Sequence, residues 1–194
     1  PAKVVLLCEP NIETLFGLLQ TASNNFPFPY ALSAGRAEHR AYRQTLEAAG
    51  VRVIDVREVL AGAERARLEA WAGQAVRIEP DSSMSADDTA DSQAQLDAAL
   101  RAFDAASLAD LIMLRPLLRV SVNANAVDPT TRFSTRYEVR PADSAYYTRD
   151  PLITTARGCV ITRLKLDIRE PENDIMAHVL EALGITPLHR IEAP

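Results

Sequence analysis

The hydrophobic and polar positions of the chain alternate between strand-like runs and stretches with helical spacing. A short apolar run at residues 4–8 is closed by Glu9-Pro10, which predicts a strand buried on both faces, because proline cannot donate to a strand ladder. A short helix or turn is expected over residues 11–20. The aromatic, proline-rich segment 24–30 is expected to be a loop that packs onto the protein or lines a pocket.

The next segment predicts one α/β unit. Ser33 is placed to cap a helix that has apolar residues at helical spacing, and Gly50 stands where a left-handed C-terminal cap is favoured. Residues 51–56 then have the pattern of a strand. Helix, glycine and strand in this order indicate an α/β fold.

The middle of the chain, residues 61–119, is richer in alanine, leucine and charged residues, and it predicts a small helical insertion outside any sheet. Leu68 and Trp71 belong to one helical piece of it. The acidic, serine-rich stretch 80–92 predicts a solvated loop, with a docking surface as the alternative.

Strand patterns return after the insertion. They occur at 120–122 and 133–139, and two further runs at 152–155 and 159–162 flank Gly158, which predicts a hairpin.

A helix is then predicted from Glu170, with proline in its first turn and early negative charge that suits the helix dipole. Gly184 ends this helix, and a final strand is expected at 185–191. Its apolar stripe consists of Ile175, Met176, Val179, Leu180 and Leu183.

Composition and charge exclude several function classes. A formal net charge of −5 makes nucleic acid an unfavourable partner, because binding to phosphates relies on basic patches. The apolar runs are far shorter than the ~18 residues that cross a bilayer, so no membrane span is predicted. Cys8 and Cys159 lie far apart, which argues against a disulfide framework and favours a reducing compartment. We expect a cytoplasmic protein, or a mitochondrial one if a presequence has been removed.

No motif predicts a metal or another cofactor. His39, His178 and His189 do not have the spacing of metal-ligand sets, and the glycines form no phosphate-binding loop. We expect His39 and His178 in helices and His189 near a strand end.

One charged motif, around Asp150, predicts either a structural salt bridge or a binding site. Asp150 precedes a proline and lies between apolar strand residues, where an unpaired carboxylate is costly, so it is expected to be buried with a cationic partner. Arg149 or Arg157 would make this a structural salt bridge. An incoming guanidinium, which fits a carboxylate through two parallel hydrogen bonds, would make it a binding site.

The residues around this motif resemble a known family. Tyr147-Thr148-Arg149-Asp150-Pro151, then Gly158, then Arg169-x-x-Glu172 at a helix start, resemble the second repeat of the arginine deiminase and amidinotransferase proteins of the pentein superfamily. The first repeat is similar to theirs in Glu9-Pro10, in Arg36-Ala37-Glu38-His39 and in Leu46-Glu47-Ala48-Ala49-Gly50-Val51. An inserted helical segment is typical of the arginine deiminase type.

The resemblance implies a fold and a domain plan. It implies a partial pentein, an α/β propeller with about two of its five ββαβ repeats, at 1–60 and 120–194, with the helical insertion at 61–119 between them. No cofactor is implied.

The resemblance also implies roles for three side chains. Asp150 would bind the substrate guanidinium and act in catalysis, Tyr147 would pack beside it, and Arg169 would hold the substrate carboxylate. Tyr147 stands where phenylalanine is common, Ser144 where a substrate-contacting asparagine is usual, and Glu170-Pro171 where basic residues are common. These departures concern the identity of the guanidino substrate.

The family reaction needs residues that we expect beyond Pro194. A cysteine thiolate attacks the guanidinium carbon, ammonia leaves, and water releases the ureido product, which is citrulline when arginine is the substrate. Cys159 lies in the wrong motif to be that nucleophile. We expect half of a hydrolase completed by a second chain with the C-terminal repeats. The alternatives are an inactive accessory subunit of a larger complex and a free-standing module that binds arginine-like ligands.

Overall fold

The computed structural model describes residues 2–19, 31–123, 125–128 and 132–192. The chain divides into two compact units, one formed by Pro1–Glu64 with Pro141–Pro194 and the other by Arg65–Arg140. Both units mix helices with small sheets, so the predicted α/β fold class is confirmed at this level.

The elements follow one another in an irregular α/β order. A 3₁₀ turn, Asp167–Arg169, directly precedes the last helix. In chain order the elements are β1 (Val4–Leu7), α1 (Ile12–Leu18), α2 (Leu32–Ala48), β2 (Arg52–Asp55), α3 (Val56–Ala61), α4 (Arg65–Ala75), β3 (Arg77–Pro80), α5 (Ala86–Ala102), α6 (Ala105–Leu114), β4 (Pro116–Val122), β5 (Phe133–Val139), β6 (Leu152–Thr155), β7 (Gly158–Ile161), α7 (Glu170–Ala182) and β8 (His189–Arg190).

The first unit contains two small sheets. Strands β1 and β2 pair in parallel, and β6, β7 and β8 form a second sheet in which an antiparallel hairpin is extended by a parallel strand. Asp55 ends β2 and caps α3 by accepting hydrogen bonds from the backbone N–H groups of Arg57 and Glu58. Helix α7 packs against α3. The buried apolar residues of these two helices are Val56, Leu60, Ile175, Met176, Val179 and Leu180.

The second unit is a three-stranded sheet with helices. Its strand order is β3-β4-β5, with β3 parallel and β5 antiparallel to the central strand. Helix α4 packs against α6 and against α5. The large buried side chains of the second unit include Leu68, Trp71, Leu100, Leu108, Ile112, Met113 and Leu117.

Several predicted elements are confirmed. The structure contains the first strand, the short helix after it, the strand after Gly50 and the hairpin around Gly158. The last helix begins at Glu170 with proline in its first turn. Gly50 and Gly184 have φ of +79° and +69°, which an L-residue with a Cβ rarely adopts. Periodicity and capping therefore predicted these elements correctly.

Other predictions at the local level are wrong. The first strand is buried only at its end, because Val4 is exposed and β2 is its single strand neighbour in the described part of the chain. Helix α2 begins at Leu32 after Ala31, so Ser33 does not cap it. The final strand is much shorter than expected, with residues His189–Arg190 only.

The acidic stretch 80–92 is a loop only at residues 81–85. Residues 77–80 form β3, and α5 begins at Ala86. Ser85 accepts a hydrogen bond from the backbone N–H of Asp88, and the Asp88 carboxylate accepts one from the backbone N–H of Ser85, a capping box that uses acidic residues. The middle region therefore contributes strands to a sheet as well as helices.

Segment 24–30 lies outside the described residues. Within the described ranges, no helix has the combination of length and apolarity needed to cross a membrane.

Candidate functional site

The site is built on a turn between Ser144 and Asp150. Asp150 N–H donates to the Tyr147 carbonyl at 2.9 Å, which closes the turn. The Thr148 hydroxyl donates to the Leu6 carbonyl of β1 at 2.8 Å, and the Thr162 hydroxyl donates to the Asp150 carbonyl at 2.8 Å. The turn is therefore tied to β1 through Thr148 and to the end of β7 through Thr162.

Arg169 enters this site from the start of α7. Its Nε and Nη2 donate to Oε1 and Oε2 of Glu172, each at 2.8 Å, so the guanidinium and the carboxylate form a bidentate pair. Residues three apart lie on one face of a helix, which explains why this pair forms locally. Glu172 is 0% exposed and Arg169 is 13% exposed. The pair is thus a buried anchor at the beginning of the helix.

The three predicted site residues come together around this anchor. Arg169 Nη1 donates to Asp150 Oδ2 at 2.9 Å. The Arg169 guanidinium carbon lies 5.8 Å from the centre of the Tyr147 ring, within the range of a cation–π contact. Residues 19 positions apart in sequence therefore share one cluster. We call Tyr147, Asp150, Arg169 and Glu172 the guanidinium cluster.

The expected environment of Asp150 is wrong in two respects. Its side chain is 41% exposed, not buried, because it lies at the end of a surface turn. Its cationic partner is Arg169, not Arg149 or Arg157. Local sequence spacing could not reveal this partner, because the contact depends on where α7 packs.

Two buried carboxylates of the site were not predicted as site residues. Burial raises the pKa of Glu172, and the Arg169 guanidinium opposes this shift. Burial also raises the pKa of Asp143, which accepts a hydrogen bond from the Ser144 hydroxyl at 3.0 Å. The i,i+3 spacing of Arg169 and Glu172 is a signal that could have revealed the first carboxylate. No sequence signal reveals Asp143.

Helix α1 closes the inner side of this site. A Cβ placed on Gly17 would lie 2.2 Å from the Cβ of Asp143, so only glycine fits at this position. The Thr14 hydroxyl also faces the Asp143 carbonyl, at 3.5 Å. The close approach of α1 thus explains why Asp143 is buried.

Carboxylates outnumber guanidinium groups among the described side chains of the site. Asp143, Asp150 and Glu172 surround one guanidinium, that of Arg169, whose pKa is raised by the hydrogen bonds to Glu172 and Asp150. The site is therefore acidic overall and suited to a cation. A planar cation with several N–H donors fits such carboxylates best.

A second buried ion pair lies elsewhere in the first unit. The Arg57 guanidinium donates to the Glu13 carboxylate, which is buried, and burial raises the pKa of Glu13.

Cys8 at the end of β1 is fully buried. Burial, together with the negative charges of Glu13 and Asp55, raises the pKa of its thiol well above the ordinary value. Cys8 is thus held as the neutral thiol.

The remaining candidates have structural positions. Cys159 lies in β7, partly buried, with the Thr154 hydroxyl 4.0 Å from its sulfur. His39 and His178 lie in helices and His189 in a terminal strand, as predicted. Among the described residues, no group of three or more His, Cys, Asp or Glu side chains could hold a metal ion.

Two comparisons with known proteins concern the chain as a whole. A family model described as arginine deiminase matches residues 26–183, well over half of the chain. A search of curated proteins found no match. The matched range includes the Tyr147–Asp150 turn and the start of α7. The chain therefore belongs to the arginine deiminase family.

Proposed function

We propose that the chain is the N-terminal part of an arginine deiminase-like hydrolase, which converts arginine and water to citrulline and ammonia. In this proposal Asp150 binds the substrate guanidinium, Tyr147 packs beside it and Arg169 binds the substrate carboxylate. The chain supplies substrate contacts, and the nucleophile comes from another chain or from residues outside these 194.

The observation that carries the proposal is the contact between Asp150 and Arg169. The guanidinium of Arg169 is the same chemical group as the side chain of arginine, and its Nη1 lies 2.9 Å from Asp150 Oδ2. Among the described residues, Asp150 Oδ1 accepts no hydrogen bond from a protein group. This second oxygen supports binding of a substrate guanidinium beside the first.

Arg169 also retains capacity for a substrate carboxylate. A guanidinium has five N–H donors, and Arg169 uses one on each of its three nitrogens for Glu172 and Asp150. One donor therefore remains on each of the two terminal nitrogens. Glu172 holds the guanidinium plane in place, and these two donors are the groups that this proposal assigns to the substrate carboxylate.

The cysteine environments support a nucleophile from elsewhere. The sequence contains only Cys8 and Cys159. The raised pKa of Cys8 opposes thiolate formation, and a thiolate is the reactive form. Cys159 lies in a strand on the hairpin with Thr154 as its neighbour, where no general base is expected.

A partial pentein architecture is part of the same proposal. We assign one repeat to 1–60, a second to 120–194 and an insertion to 61–119, and we infer that the missing repeats enclose the substrate. The compact units of the structure divide instead at 64/65 and at 140/141, so β4 and β5 group with the insertion. The parallel pair β1–β2 and the three-stranded sheet β6-β7-β8 each leave edges that further repeats can cover.

The test is arginine binding and citrulline formation by the native assembly that contains this chain. Asp150→Asn should weaken arginine binding about 10- to 100-fold, the value of one or two charge-assisted hydrogen bonds at a partly exposed site. Asp91→Asn, at an exposed position of α5, is the matched control and should bind normally. Unchanged affinity of Asp150→Asn would refute the proposed role.

The role of Arg169 is better tested through the ligand than by mutation, because its loss would also leave Glu172 unpaired. Agmatine, which is arginine without the carboxylate, should bind more weakly than arginine to the wild-type assembly. Equal binding would contradict the carboxylate contact. Asp150→Asn should weaken both ligands by a similar factor.

One observation favours a second candidate, an inactive accessory subunit. Asp150 is already neutralised by Arg169, and Arg169 is held by Glu172, so the three charges also form a self-contained structural network. An assembly that neither binds arginine nor forms citrulline, yet loses stability on Asp150→Asn, would support this candidate.

A further inference from the structure

The outer strand of the second unit, β5, has an open edge. In the described part of this sheet the order is β3-β4-β5, so β5 has one strand neighbour. The five residues 134–138 are all exposed, and the Tyr137 side chain is 71% exposed. An exposed strand of seven residues offers a template for another strand.

The register shows which backbone groups point outward. Asn123 N–H donates to the Arg132 carbonyl at 2.7 Å, and Arg140 N–H donates towards the Arg115 carbonyl at 3.4 Å, so the even-numbered positions of this strand bond to β4. Hydrogen-bonded positions alternate along an antiparallel strand. The N–H and C=O groups of Thr135, Tyr137 and Val139 therefore point to the open edge.

The side chains of this edge are complementary to themselves. Arg119 lies directly opposite Arg136 and is neutralised by Glu79 and Glu138, at 2.8 and 2.7 Å. Among the described residues, Arg136 forms no salt bridge, and the carboxylate on which its charge acts is Glu138 of the same strand. An antiparallel pairing of two β5 strands centred on Tyr137 would set Arg136 of each copy opposite Glu138 of the other.

We propose that β5 pairs with β5 of a second copy of this chain and joins two three-stranded sheets into one of six. The odd-numbered positions form the hydrogen-bonded pairs, with Tyr137 facing Tyr137 and Thr135 facing Val139. The Arg136–Glu138 pairs fall at non-hydrogen-bonded positions, where side chains approach most closely. The partner is a second copy because this strand carries both halves of the charge pair.

The test is self-association of the full chain, followed by sedimentation between about 10 μM and 1 mM, because an interface of one strand pair is small and weak. Arg136→Glu and Glu138→Arg each place like charges opposite one another twice in the dimer, and each should weaken it at least about tenfold. Mixed together, these two variants restore both opposite-charge pairs and should associate with each other.

A backbone variant provides an independent test. Tyr137→Pro removes an N–H that points outward and leaves the β4 ladder intact, so it should abolish the dimer. Tyr137→Ala keeps that N–H and should retain measurable dimer. Circular dichroism establishes that each variant is folded, and the mixing experiment remains decisive if Tyr137→Pro is not. A monomer at all concentrations, or a dimer insensitive to these variants, overturns the proposal.

Discussion

The buried pair Arg169–Glu172 gives the sharpest prediction for the first unit. We consider Glu172→Gln, which keeps the shape of the side chain and one oxygen acceptor but removes the charge. Among the described residues, the Arg169 guanidinium then keeps Asp150, which is 41% exposed, as its salt-bridge partner, with the Asp143 carboxylate as a further nearby charge. The change therefore isolates the contribution of the buried carboxylate.

The structure sets the expected magnitude. Glu172 is fully buried and forms two hydrogen bonds of 2.8 Å to the guanidinium. Removing one partner of a buried pair costs about 3–5 kcal/mol, because the other charge stays buried without compensation. Glutamine retains one acceptor, and burial raises the pKa of Glu172, so part of that cost is recovered. We expect a loss of about 2–3 kcal/mol in the free energy of unfolding.

Hydrogen exchange of α7 amides and urea unfolding measure this loss. Asp174→Asn, on the same helix, weakens an ion pair in which the Arg190 side chain is 39% exposed and the Asp174 side chain 34% exposed. This control should therefore lower the free energy of unfolding by at most about 1 kcal/mol. A double-mutant cycle with Arg169→Gln should give a coupling energy of about 2 kcal/mol. A loss for Glu172→Gln no larger than for the control, or a coupling near zero, refutes the reasoning.

Two further predictions concern the inner side of the site. Gly17→Ala should lower the free energy of unfolding by about 1–3 kcal/mol in a urea titration, because its Cβ would lie 2.2 Å from that of Asp143. Gly73→Ala in α4 is the control. The Cβ of this variant would have its nearest neighbour at 3.8 Å, so the same titration should show a neutral or stabilising effect. Asp143→Asn should gain stability relative to wild type as the pH rises from about 4 to 8. Burial raises the pKa of Asp143 in the folded state, so the contribution of this group is present below its unfolded pKa and is lost as the pH rises through the folded value. Parallel stability curves for variant and wild type would contradict this second prediction.

Local rules explain which elements could be predicted. Helix α7 has a proline in its first turn, an apolar stripe and a terminal glycine, and all three signals agree. The strand after Gly50 and the hairpin around Gly158 follow from similarly local signals. Where local preference and packing point to one structure, the amino-acid pattern is sufficient.

The errors occur where local signals compete. Acidic and serine-rich composition suggested a loop at 80–92, but the same residue types cap a helix when Ser85 and Asp88 bond each other's backbone. Ser33 was an equally plausible cap, yet helix α2 begins before it. Composition does not distinguish these cases, since the deciding hydrogen bonds depend on the path of the backbone.

The sequence by itself determined the family motif, the residues with binding chemistry and most helix and strand positions, because these depend on side-chain type and on spacing along one segment. Only the tertiary structure decided that Arg169 faces Asp150, that Glu172 is fully buried and that Asp150 remains partly exposed. Those properties arise from the packing of the helix start at 169–172 against a turn 19 residues earlier in the chain. The burial of Glu172 and the pairing of Arg169 with Asp150 are properties of such long-range contacts, whereas the pairing of Arg169 with Glu172 follows from local i,i+3 spacing.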